Sequence, residues 1–505
     1  MSWSRHFYTV LLVATLLKLG LAAWLPLTGD EAYFHLWAKY PDFGYYDHPP
    51  MVGWWLHGLL YLGQAAWWLR LPAILLGTLI AWLIYRVCRA PYGEEVARYA
   101  GLLYLLMPVN LINVFITTDT PLILFALLSV LALQRALVSE GYRWFVLSGL
   151  LLGLAFLSKY FAVLLGLAYG VYLLLLRPSR RHLLGLLLIF IAVLPFAGLN
   201  VWWNYNNCWN NILFNLHNRH GGEGIGWEYS VTYLLMMLYL ISPPLLWYGW
   251  QARARLWTIL RERELFIWLL LLPLMLFALL SLGNRIGLHW VLAFYPLLFL
   301  FAPRLLNSEQ WRGALRFTLW FSAAHLLVLA LLMLLPPESL KLRDSLHRDY
   351  VLGRYGDQVW EQIATHQQGR ILAADSYVTS AIFEYRSGQR VAVFGMASHY
   401  ARMDDALTDY RRHHGEDMLI IKRSRSAAEQ HARFFAQAEV VEVTLRGASR
   451  YLLLGDGFDY PRYHEAILTP VRERYYRLPW FLPAGPCYFY HQYFDNEPME
   501  SLPRR

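Results

Sequence analysis

Two short stretches, Gly29-Asp30-Glu31-Ala32-Tyr33 and Tyr45-Tyr46-Asp47-His48-Pro49-Pro50, put three carboxylates and a histidine directly after an apolar run at Phe7–Leu27. Carboxylates beside a membrane are costly unless they are paired, hydrated or used. Partial desolvation raises a carboxylate's proton affinity, which suits it to general-base work. Asp30 and Glu31 are neighbours, so on a helix they diverge by about 100° and cannot act as one dyad. One can face a cavity while the other takes a structural role. Asp is also a favoured helix N-cap, and for Asp30 that reading stands level with catalysis. In Asp47-His48-Pro49-Pro50 each residue before a proline is kept out of the helical region. The resulting rigid turn can aim His48 at a phosphate or Asp47 at a metal ion. The plainer reading, in which Asp47 bonds its own backbone, is somewhat favoured by the turn alone.

Asp119, in Thr117-Thr118-Asp119-Thr120-Pro121, stands directly before an apolar run and reads at least as well as a helix N-cap. Lys159, in Leu157-Ser158-Lys159-Tyr160, stands between two apolar runs. A point-charge ammonium there suits a lipid phosphate, and a lysine snorkelling to an interface is the competing account. Arg285 and His289, in Gly283-Asn284-Arg285-Ile286-Gly287-Leu288-His289-Trp290, pose the same choice. His217 and His220 have a spacing that can present two imidazoles to a metal, although histidines in polar loops are usually solvated. Their loop, Asn204–Tyr229, also holds Arg219, Glu223 and Glu228.

The elements that must carry these residues are mostly membrane helices. The chain has 505 residues, 57% of them hydrophobic and 16% charged, with a mean hydropathy of +0.33. A soluble domain carries nearer a quarter charged residues. The 22 Trp and 34 Tyr agree, because amphipathic rings collect at bilayer interfaces. A net charge of +9 raises the question of nucleic acid. The basic residues of the first two thirds lie in short loops between apolar runs, a pattern of topology rather than of a polyanion groove. Met1–His6 is short and basic, as in a signal peptide, but no small-x-small cleavage site follows, so an uncleaved first helix is expected. Cys88, Cys208 and Cys487 have no metal-type spacing; Cys208 and Cys487 could meet outside the cytoplasm, but unpaired thiols are expected.

Runs of spanning character are Phe7–Leu27, Trp67–Val87, Ala97–Ile116, Pro121–Val138, Trp144–Leu157, Phe161–Leu176, Leu183–Trp203, Val231–Trp250, Leu265–Leu282, His289–Phe301 and Phe317–Leu335, about eleven in all. Glu31–Tyr40 and Met51–Gly63 read as helices lying at the interface. Arginines cluster in alternate loops: Arg86, Arg89 and Arg98; Arg135 and Arg143; Arg177, Arg180 and Arg181; Arg253, Arg255, Arg261 and Arg263; Arg304, Arg312 and Arg316. The positive-inside rule makes that side cytoplasmic. The opposite side then receives the Asp30–His48 loop, Thr117–Asp119, Ser158–Lys159, Asn204–Tyr229, Gly283–Leu288 and everything after Pro336. Almost every loop residue able to do chemistry therefore shares one face.

The expected organisation is a membrane domain over residues 1–336 and a soluble α/β domain outside the cytoplasm over 337–505. In the latter, Arg370–Ala374, Val391–Gly395, Met418–Ile421 and Tyr451–Leu454 have strand character, with helices at Gln358–His366 and Ala427–Ala438.

Taken together, the Gly29–Tyr33 and Tyr45–Pro50 stretches, Thr118-Asp119-Thr120-Pro121-Leu122, Gly153-Leu154-Ala155-Phe156-Leu157-Ser158-Lys159-Tyr160 and His289-Trp290 resemble membrane glycosyltransferases of the GT-C fold. The nearest subgroup is the bacterial branch related to protein O-mannosyltransferases and to lipid A aminoarabinose transferases. The resemblance covers roughly the first three hundred residues, and its first two pieces together are specific. It implies a sugar donor on polyprenyl phosphate, a lipid, glycan or protein acceptor, and a site facing the periplasm of a bacterial inner membrane. It implies Asp30 as catalytic base, with Glu31 and Asp119 beside it in the catalytic set. Lys159 would contact the donor phosphate, with His48, Arg285 and His289 as further phosphate contacts. Asp47 and His217 would form a divalent-metal pair; no organic cofactor is implied. His48 and Asp47 stand where the aminoarabinose transferases carry lysine and glutamate, a departure that bears on the substrate. Two other classes share the membrane composition. A transporter or flippase for lipid-linked sugars would more often place charges within spans and break helices in symmetric halves, and no inverted repeat is visible. A non-catalytic assembly protein needs no carboxylate-and-lysine set.

Overall fold

The computed structural model describes residues 3–139, 141–218, 226–340, 344–396 and 403–495. The chain forms two compact units. The first comprises Met1–Trp24, Leu62–Leu199 and Gly222–Met333; the second comprises Leu25–Tyr61, Asn200–Gly221 and Leu334–Arg505.

The first unit is helical. Among the described residues five helices are long and apolar enough to cross a bilayer: His6–Trp24, Ala66–Leu106, Asp119–Val138, Arg180–Asn206 and Ser308–Leu334. Two bent pairs, Trp227–Ile241 with Pro243–Gln251 and Arg253–Arg261 with Leu265–Leu280, bring the total to seven if each is one span. The difference from the sequence count has local causes. Trp67–Val87 and the first half of Ala97–Ile116 fall in one helical stretch, Ala66–Leu106, which kinks where Gly93, two residues after Pro91, takes φ 82°. Arg143–Phe156 and Ala162–Leu176 form shorter apolar helices. The run at His289–Phe301 resolves into a turn, Leu288–Val291, and a seven-residue helix, Tyr295–Phe301.

Large side chains knit this unit together. The rings of Phe7 and Tyr85 stack 4.5 Å apart, joining the first helix to the Ala66–Leu106 stretch. Two buried cations stand at the same junction. Arg70 donates to the Ala22 carbonyl at 2.7 Å, satisfying an acceptor in the last turn of the first helix. Lys18 lies 3.4 Å from the Ala73 carbonyl.

The second unit contains the helices Gly29–Lys39 and Met51–Leu60, close to the expected positions, and a five-stranded sheet. Its strands are β1 (Ile371–Ala374), β2 (Ala392–Val393), β3 (Met418–Lys422), β4 (Phe435–Leu445) and β5 (Ala448–Phe458), in the order β2-β1-β3-β5-β4. β1 runs parallel to β2 and β3; β5 is antiparallel to β3 and β4. Met418-Leu419-Ile420-Ile421-Lys422 is buried along its whole length, as a central strand with both faces covered requires. The expected helix at Ala427–Ala438 is shorter. It spans Arg425–Ala432 behind a Ser424 cap, and Phe435 already begins β4. The alanines favour helix, but from Val440 the β-branched residues pair with β5. A two-residue hairpin, Arg446-Gly447, joins the two strands, with φ of 50° and 75°.

Cys208 and Cys487 are not free thiols: they form a disulfide, with Cα atoms 4.4 Å apart. Spacing could not disclose it, because 279 residues separate the partners. The second unit thus gathers the first acidic loop, the start of the Asn204–Tyr229 loop and the chain after Leu334, which are the three longest segments that the arginine pattern assigns to one side.

Candidate active site

The helix Gly29–Lys39 starts at Thr28, not at Asp30. Thr28 Oγ1 accepts from the Glu31 N–H, and a Glu31 carboxylate oxygen accepts from the Thr28 N–H at 3.1 Å. This reciprocal cap uses Glu31, which is buried, as a structural group. Asp30 is left with no capping duty and no ion pair among the described residues. Its side chain is open to solvent, yet the surrounding chain desolvates its carboxyl. That desolvation, then the negative charge of Asp47, holds the carboxyl above the usual carboxylate range. His48 pulls it down and Glu31 adds a smaller upward push. Gly29 is required by close packing: a Cβ there would meet Val378 Cγ1 at 2.3 Å.

The turn that brings Asp47 and His48 near Asp30 is fixed from below. The fully buried Trp37 stacks on Tyr45 at 4.3 Å with the rings within 4° of parallel, and lies 6.1 Å from His48. Tyr45 returns a hydrogen bond to the Trp37 carbonyl and takes one from the Asp42 N–H. The Tyr45 N–H donates to the His48 carbonyl at 2.9 Å, which closes the turn. Asn211 and Asn215 donate to the carbonyls of Tyr45 and Asp47. Nδ1 of His48 lies 3.1 Å from a carboxylate oxygen of Asp47.

In the first unit, Asp119 is the first residue of its helix rather than the cap before it. Both its oxygens accept from Lys159 Nζ at 2.8 Å, and both side chains are buried. Such a pair is held together by its own geometry, because either charge alone would be stranded. Lys159 also sits 5.3 Å from the Phe161 ring centre, and Phe161 packs on Trp290 at 4.8 Å. The Leu288–Val291 turn is thereby tied to the Lys159 loop. His289 is exposed on that turn, and the exposed Arg285 lies over the Tyr229 ring at 5.8 Å.

Of the metal pair, the side chain of His217 lies outside the described residues, as do Arg219, His220 and Glu223. Among the described residues no three His, Cys, Asp or Glu side chains cluster as metal ligands. The sequence reading passed over the asparagines of Asn204–Asn215, although their density in a run between aromatic residues is a visible signal. Two of them, Asn211 and Asn215, hold the acidic loop from just beyond the end of the Arg180–Asn206 helix.

Residues 47–203 match the family described as dolichyl-phosphate-mannose-protein mannosyltransferase. The chain is similar to the lipid A galacturonosyltransferase RgtD of Rhizobium johnstonii, 27% identical over 399 residues that cover 75% of this chain and 82% of RgtD. It is 30% identical over 162 residues to the putative mannosyltransferase YycA of Bacillus subtilis, covering 31% of this chain and 23% of that protein. Its fold is similar to the crystal structure of ArnT from Cupriavidus metallidurans in the apo state, with a TM-score of 0.63 at 16% identity, covering 89% of this chain and 97% of that one. Against ArnT bound to undecaprenyl phosphate the TM-score is 0.64. The fold is thus that of ArnT, and the sequence matches support a membrane glycosyltransferase of the GT-C fold related to the protein O-mannosyltransferases.

Proposed function

We propose that the protein moves a sugar from polyprenyl phosphate to a lipid-linked acceptor of the lipid A class, on the periplasmic face of a bacterial inner membrane. The observation that carries this reading is the Asp30 carboxyl: spared from capping by Glu31, raised above the carboxylate range, and flanked by Asp47 and His48. RgtD, by its name, acts on lipid A, and ArnT has been crystallised with undecaprenyl phosphate. Both support the choice of donor and acceptor. The Cys208–Cys487 disulfide supports the placement, because such bonds persist in the oxidising envelope and not in the cytosol.

In this mechanism Asp30 takes the proton of an acceptor hydroxyl. The freed oxygen attacks the anomeric carbon, the bond from that carbon to the phosphate oxygen breaks, and polyprenyl phosphate leaves. A single displacement inverts the anomeric centre. Lys159, with Arg285, His289 and His48, offsets the charge that develops on the leaving phosphate, where a low-dielectric setting strengthens each contact. Asp119 fixes the Lys159 ammonium and acts as a positioning residue. Where the acceptor is itself a phosphate, it is already a nucleophile and Asp30 orients it.

The test is transfer of labelled sugar from polyprenyl phosphate to lipid A in detergent. The wild type should transfer, and Asp30→Asn should abolish turnover while donor binding persists. Near-normal turnover in Asp30→Asn would sink the base role, and no transfer by the wild type from any polyprenyl-phosphate sugar would sink the reading as a whole.

A further inference from the structure

A cavity lies wholly within the second unit, at the opposite end of helix Gly29–Lys39 from Asp30. It has a volume of about 310 Å³, in the range of small-ligand sites. The helix places it roughly 15 Å from Asp30 along the axis. Its walls come from four separate parts of the chain: the Tyr40–Tyr46 loop, the Trp203–Asn210 segment, the short Met403–Leu407 helix and Tyr488. Tyr45, Tyr46 and Trp203 supply aromatic surface, and Asp42, Asn207 and Asn210 supply polar groups.

Two of its buried polar atoms are unsatisfied. Trp203 is 4% exposed and Asn210 2%. Trp203 Nε1 and Asn210 Oδ1 have no hydrogen-bond partner among the described residues. Asn210 spends Nδ2 on the Tyr488 hydroxyl. Whichever way its amide is turned, one of its polar atoms is left without a partner among the described residues. A buried donor and acceptor without partners are expensive, and their persistence in one pocket points to a ligand that supplies both. The Trp203 ring is pressed onto the backbone of Gly44, where a Cβ would meet it at 2.4 Å. The Cys208–Cys487 bond ties Asn207 and Tyr488, its sequence neighbours, across the cavity.

Aromatic faces with interleaved amide, indole N–H and carboxylate groups match the C–H faces and hydroxyl edges of a sugar ring. Asp42 is the sole charged residue among the described residues of the lining, so a uronate carboxylate would meet repulsion there and an amino group attraction. We propose that this cavity is a carbohydrate subsite, taking a neutral or amino-bearing sugar ring of the acceptor glycan while Asp30 works at the other end of the helix. The acceptor role rests on the glycosyl-transfer reading; sugar binding itself does not.

The experiment uses the full-length protein in a detergent whose headgroup is not a sugar, with methyl glucoside, methyl glucosaminide and methyl galacturonide followed by saturation-transfer NMR. The first two should bind saturably and the galacturonide at least tenfold more weakly. Ala406→Trp fills the rim from an exposed position and should abolish binding; Asn210→Ala should weaken it at least tenfold. Asp42→Asn, which can keep the acceptor for the Phe43 N–H, should narrow the gap between the glycosides and the galacturonide. Binding retained in Asp30→Asn supports a separate subsite. Absence of saturable binding by all three glycosides, as for a pocket holding water only, overturns the proposal, as does binding indifferent to both Ala406→Trp and Asn210→Ala. Sugar binding without any transfer by the wild type overturns the transfer reading and leaves the subsite standing. Normal transfer by Ala406→Trp overturns the acceptor role.

Discussion

At the scale of single residues, the charges around Asp30 make its titration adjustable in both directions. A base must be deprotonated, so transfer should fall on the acid side with a midpoint above the ordinary Asp range, because the Asp30 carboxyl is raised. Asp47→Asn removes a charge that pushes Asp30 up, and should move that acid limb to lower pH. His48→Gln removes one that pulls it down, and should move the limb to higher pH. Measuring the limb in all three proteins checks the sign; shifts in the same direction would refute the assignment. The Asp119–Lys159 pair makes a different prediction. Lys159→Met alone strands a buried carboxylate and should cost about 3–5 kcal/mol of stability. Adding Asp119→Leu should restore most of the melting temperature but none of the transfer activity. Recovery of both would reduce the pair to a structural role. Each of these residues was recognisable in the sequence, but not its company. Forty positions separate Asp119 from Lys159, and no spacing rule brings a helix start onto a loop that far away.

At the scale of elements, the helix carrying Asp30 is aimed by one close approach. Gly29→Ala should overpack against Val378 and cost about 1–3 kcal/mol, displacing the first turn and lowering transfer with it. Val378→Ala in the same chain should recover both, which differential scanning fluorimetry and the transfer assay would show together. The two helices of the acidic loop were legible because the Asp-Glu pair in the first turn of one and the Pro-Pro pair directly before the other are local signals. So were β1 and β3, as short apolar runs. β4 was not: its alanines carry helix propensity, and only pairing with β5 decides against it. The membrane spans were legible as apolar runs but not as helices of given length, since breaks at Gly93 and Ser242 depend on backbone geometry that composition does not reveal.

At the scale of the whole molecule, the second unit is assembled from three stretches of chain that the sequence separates widely, and a single covalent bond joins two of them. Cys208→Ser with Cys487→Ser, or a reductant on the wild type, should lower the stability of that unit by about 2–4 kcal/mol, read as a lower melting temperature that tracks loss of thiol pairing by mass spectrometry. An unchanged melting temperature would show that packing alone suffices. The arginine pattern assigns these stretches to one side; it could not anticipate that Asn207 and Tyr488 would line one cavity, since neither has a local signature. The span of that bond also sets a schedule for biogenesis. During synthesis Cys208 emerges long before its partner, so it must stay reduced and unclaimed until Cys487 has been made. A chain that stalls before that point keeps an open thiol and an unclosed pocket wall. Quality-control machinery that reads exposed thiols could then sort finished copies from unfinished ones.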